Sequence, residues 1–107
     1  MNDCYSTASN SANAGLRIET TASSFFALPY HQLERVDFIS ANGTDTVTVS
    51  FVACTVRVTG KNLRRMAAQI VTQEVQYMRV TPKNSPPPEK NSACIEKIEV
   101  VEKENAT

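Results

Sequence analysis

The sequence predicts an α+β fold: a small, mostly antiparallel sheet of four to six strands with one amphipathic helix packed on one face. Three observations lead there. Apolar and polar residues alternate on both sides of Asn42-Gly43, which describes a hairpin. Leu63, Met66, Ala67, Ile70 and Val71 recur at helical spacing. Two polar stretches flank the chain's middle and leave the apolar side chains concentrated between them.

In chain order, residues 1–14 are mostly Ser, Asn, Ala and Thr, too polar to offset their ordering entropy, and are expected to be disordered. Residues 15–81 form the expected single domain. It opens with a short strand over Leu16–Thr20, whose Leu16, Ile18 and Thr20 share a face. Phe25, Phe26 and Leu28 follow, and Pro29 then favours a tight connection over Tyr30–Leu33. Val36 and Phe38 alternate with Arg35 and Asp37, as in a half-buried strand. Asn-Gly tolerates the positive φ of a hairpin turn, after which Val47, Val49 and Phe51 form the inward set. Cys54, Val56 and Val58 continue it with the opposite parity, so Val52-Ala53 must hold a bulge or a tight bend.

Asn62 reads as a helix N-cap, with the helix running to about Glu74 and its apolar stripe on the sheet. Val75, Tyr77 and Val80 favour a further strand, although Val75 and Met78 would also extend the helical stripe; Thr81-Pro82 stops either one. Residues 82–92 contain three consecutive prolines and read as an extended linker. The charged tail, 93–107, carries Ile95, Ile98, Val100 and Val101 among alternating charges. A docked edge strand, a short helix and a segment ordered by a partner all remain open for it.

Eleven basic and eleven acidic residues cancel, so overall charge points to neither nucleic acid nor membrane. The three cysteines, Cys4, Cys54 and Cys94, lack zinc or redox-motif spacing and suggest reduced thiols. The first residues lack a signal peptide's basic start and apolar stretch, and no apolar run is long enough to span a bilayer. A cytoplasmic protein without a membrane partner is expected.

Chemistry-bearing residues are few. His31 is the sole histidine, placed beside Tyr30 with no evident catalytic partner, and Cys54 alternates with strand valines as a core residue would. No cofactor, metal or catalytic residue is expected, and an enzyme is disfavoured. The expected role is a non-enzymatic protein-interaction or oligomerisation module, resting on flexible ends and a detachable apolar-acidic tail. A second expectation comes from the helix start, where Lys61, Arg64 and Arg65, joined by Arg57, run against the helix dipole. That cluster would bind an anion such as a phosphate or a nucleic-acid backbone.

Overall fold

The computed structural model describes residues 4–7, 15–21, 23–81 and 93–102. Its elements are β1 (Tyr5–Thr7), β2 (Gly15–Thr21), β3 (Ser24–Pro29), a 3-10 turn (Tyr30–Gln32), β4 (Leu33–Ala41), β5 (Thr44–Phe51), β6 (Cys54–Lys61), α1 (Arg64–Val71), β7 (Val75–Arg79) and β8 (Cys94–Glu102). The strands form two four-stranded sheets, not the single sheet that alternation suggested. Sheet I has the order β1-β7-β2-β3 and sheet II the order β4-β5-β6-β8. Every pairing is antiparallel except β2 with β7. Alternation reports which face of a strand is apolar and says nothing about which strands share a sheet.

The inward residues of both sheets meet in one apolar cluster. Leu16, Ile18 and Met78 come from sheet I; Val47, Val49, Phe51, Val56, Val58 and Ile95 come from sheet II. Helix α1 adds Met66, Ala67 and Ile70 and packs against β4, β5 and β7. Its eight residues are too few to cover a whole sheet, which is why the second sheet is needed. The helix ends at Val71, short of Glu74. Gln73 adopts a left-handed φ of 63°, its N–H donates to the Ile70 carbonyl, and the Glu74 N–H donates to the Gln69 carbonyl. This Schellman closure, normally glycine's, leaves Val71 61% exposed, outside the buried stripe.

The parity change after Phe51 comes from a tight bend. β5 pairs with β6 so that Val47 faces Val58 and Val49 faces Val56. Odd residues of one strand therefore share a face with even residues of the next, with no bulge. The exposed Val52-Ala53 pair forms the bend, and the Val52 N–H donates to the Gln32 carbonyl at 3.0 Å. Asn42 and Gly43, at φ 54° and 77°, turn the preceding hairpin as their residue types require.

Both chain ends contribute to the sheets. Tyr5–Thr7, expected to lack structure, forms β1 against β7, with Cys4 buried beside it. The 94–102 stretch is an edge strand of its own chain, pairing with β6 and burying Ile95 completely. The remainder of the expected disordered segment, the Pro-rich linker and the last tail residues lie outside the described residues.

Candidate functional site

Of the four basic residues singled out in the sequence, Lys61, Arg64 and Arg65 lie where β6 ends and α1 begins, whereas Arg57 stands in the middle of β6. Arg57 and Lys61 project from β6 into solvent, and Arg64 and Arg65 are exposed on the first turn of α1. One amide at the helix start is already held. Leu63, not Asn62, holds the cap position; Asn62 is left-handed at φ 59°. The cap comes from β5: the Leu63 N–H donates to Asp45 Oδ2 at 3.0 Å. The Ser40 hydroxyl first, then the Leu63 amide, hold the Asp45 carboxyl below its usual range, and the Arg64 charge adds to this. Arg64 also lies over Phe38, 5.2 Å from the ring centre. Arg57 stands across from Thr48 on one side and Glu99 on the other.

The outer face of sheet I holds a cluster that sequence reasoning missed. Arg17 is sandwiched between Phe25 and Tyr77, 5.2 and 5.1 Å from their ring centres, and Arg79 lies 5.4 Å from Tyr77. Glu19 joins both guanidiniums, at 3.1 Å to Arg17 and 3.9 Å to Arg79. Register produces the cluster: Arg17 pairs with Tyr77, and Glu19 with Phe25 and Arg79. Because β7 enters beside β2 from far along the chain, no local spacing signals it. Its charges and rings largely satisfy one another, which makes it a brace across three strands.

Sheet II presents a different surface at its edges. On β8, Lys97 and Glu99 project outward on either side of Ile98, with Nζ 3.4 Å from Oε1. Ile98 and Val100 turn inward opposite the buried Val58 and Val56, yet Val100 is 38% exposed and its outward neighbour Val101 58%. The core layer thus runs out to an edge that no strand covers among the described residues. The opposite edge, β4, repeats the arrangement with Arg35 and Asp37 about Val36, paired at 2.9 Å. There α1 packs over the inner face. The triad Lys97-Ile98-Glu99 was legible as alternating charge; its place at a sheet edge was not.

His31 is exposed in the 3-10 turn, and Cys54 is buried in the core. No three His, Cys, Asp or Glu side chains converge as a metal site among the described residues. Among the described residues, no helix is long and apolar enough to cross a membrane. Comparison with protein-family models, curated proteins and solved structures finds no match to this chain.

Proposed function

We propose that this chain is a non-enzymatic interaction module that self-associates by pairing β8 with β8 of a second copy. One observation carries the reading: Lys97 and Glu99 sit symmetrically about Ile98 on a nine-residue edge strand. In an antiparallel pairing with its two-fold axis at Ile98, Lys97 of each copy faces Glu99 of the other. Both contacts are attractive, and the arrangement is the self-complementary one a two-fold interface requires. Ile98 then meets its own counterpart on the inner face, and the uncovered end of the core layer around Val100 gains cover. Strand addition of this kind satisfies the unpaired backbone groups of an edge. β4 carries similar charges, but α1 already packs against it, so less apolar surface remains there to be gained.

The basic group at the start of α1 supports anion binding less well, since Asp45 places a carboxylate beside the first turn and holds one of its amides, that of Leu63. Arg65 and Lys61 still face solvent, so salt-sensitive binding of a polyanion remains the second reading.

Sedimentation equilibrium on charge-reversed variants tests the proposal. Lys97→Glu alone and Glu99→Lys alone each set like charges opposite each other twice, weakening the dimer by about tenfold or more. An equimolar mixture of the two variants regains dimer, because an all-acidic strand then meets an all-basic one. A monomeric wild type, or variants that dimerise as it does, sinks the reading. Loss of association with Arg35→Glu and not with Lys97→Glu would move the interface to β4.

A further inference from the structure

Cys4 and Cys94 belong to opposite ends of the sequence, yet the fold brings them to one place. The end of β7 is the shared post. The Arg79 N–H donates to the Cys4 carbonyl at 2.8 Å. Two residues on, the Thr81 N–H donates to the Ile95 carbonyl at 2.8 Å, and the Ile95 N–H donates back to Thr81 Oγ1 at 3.0 Å. Between these anchors the Cys4 thiol points at the residue before Cys94, donating to the Ala93 carbonyl at 3.5 Å. Planar peptide geometry then puts Cys4 Sγ within about 6 Å of the Cys94 Cα. A disulfide holds the two Cα atoms roughly 4.4–6.8 Å apart and each Sγ nearer than that to the opposite Cα, so the two strand ends must draw together to close the bond. Cys54 is at the far end of β6: it pairs with Glu102, whereas Cys94 pairs with Lys61.

We infer that Cys4 and Cys94 are a modification site, a thiol pair set to form a reversible disulfide with a low-molecular-weight disulfide as oxidant. Accessibility orders the two steps. Cys94 is half-buried, whereas Cys4 is 3% exposed, and burial raises its thiol pKa, with Cys94 nearby adding to the shift. Cys94 therefore reacts first. Its thiolate attacks one sulfur of the oxidant, the oxidant's S–S bond breaks, and one small thiolate leaves with the mixed disulfide remaining on Cys94. Cys4 then loses its proton to solvent and attacks the Cys94 sulfur, expelling the second small thiolate. Two protein thiols are oxidised, one small disulfide is reduced to two thiols, and the two protein protons end on those thiols. The bond joins the segment leading into β1 of sheet I to β8 of sheet II, clasping the sheets together beside the end of β7.

The test is incubation of the full chain with oxidised glutathione, alkylation, and peptide mapping by mass spectrometry without reduction. The expected product is a peptide pair linked through Cys4 and Cys94, two hydrogens lighter than its free parts and released by dithiothreitol. Its melting temperature exceeds that of the reduced chain, while Cys54 is alkylated only after unfolding. Cys4→Ser should instead accumulate glutathione on Cys94, because the resolving sulfur is gone. The inference is overturned if wild type retains glutathione on Cys94 as Cys4→Ser does, if the link involves Cys54, or if Cys94 stays alkylatable with no bond formed.

Discussion

Sheet II is assembled mainly by neighbours in sequence, sheet I mainly by strangers. β4, β5 and β6 follow one another through two tight turns, so each pairing closes only a short loop. In sheet I, β7 slots between β1 and β2, meeting β1 antiparallel and β2 parallel across most of the chain. The difference shows in what binds each sheet. Sheet II buries a continuous set of valines and keeps Thr46, Thr48, Thr55 and Thr59 on its outer face. Sheet I has fewer buried residues per strand and adds the outer brace of Arg17, Phe25, Tyr77, Arg79 and Glu19. Long-range strands that bury little on one face gain from contacts on the other.

The sharpest way to break this comparison uses two glycines. A Cβ on Gly60 would sit 1.9 Å from the Cys94 carbonyl oxygen, where β6 and β8 press together. Gly60→Ala should therefore cost more than about 3 kcal/mol, because backbone must shift. At Gly15, in sheet I, the nearest contact would be the Leu28 carbonyl oxygen at 3.1 Å. Gly15→Ala should cost about 1 kcal/mol. Urea unfolding of both variants reads the difference, and equal costs would mean that β8 does not close on β6 as tightly as described.

A smaller effect tests how the sheets are tied. The buried Tyr30 hydroxyl donates to the Val75 carbonyl at 2.6 Å, linking the turn that leads into sheet II to β7 of sheet I. Burial pushes its phenol pKa far above the ordinary range, so it donates throughout the accessible pH range. Tyr30→Phe should destabilise by about 1–2 kcal/mol, and amide exchange should quicken in β7 more than in β5. Uniform quickening would show that the bond serves the whole core and not the junction.

The smallest effect depends on pH. Asp45 is held below its usual pKa by Ser40 and by the Leu63 amide, so its ionised form stabilises the fold. That contribution is complete above the unfolded carboxyl value of about 4 and is lost as pH falls through the lower folded value. Asp45→Ala should cost about 1 kcal/mol at neutral pH, typical of a lost helix cap, with the gap narrowing below about pH 4. A gap constant with pH would remove the carboxylate from this role.

These cases separate what is legible in a sequence from what is not. Asn42-Gly43 announces its turn because its φ values are a property of the residues themselves. The stripe of Met66, Ala67 and Ile70 is likewise readable, since helical spacing alone puts them on one face. Asn62 looked like the cap and was not, because its left-handed φ of 59° is not the extended backbone a cap residue takes, and Asp45 on β5 bonds the Leu63 amide instead. Cys4 and Tyr5 gave no periodic signal; two apolar residues suffice there because β7 and Ala93, both distant in sequence, supply their partners. Of the candidate surfaces, the basic helix start was visible as a run of like charge, whereas the β8 edge required knowing that nothing described pairs beyond it.

Local periodicity and turn chemistry, then, determined the strands from Arg35 to Val58, the helical stripe and the mostly extended character of the chain, since these depend on backbone preferences within a few residues. Only the tertiary structure decided that there are two sheets, that β7 lies parallel to β2, and that Cys4 meets Ala93 beside Cys94. Such choices compare the burial gained by alternative long-range pairings, and that quantity belongs to the assembled core and not to any one segment.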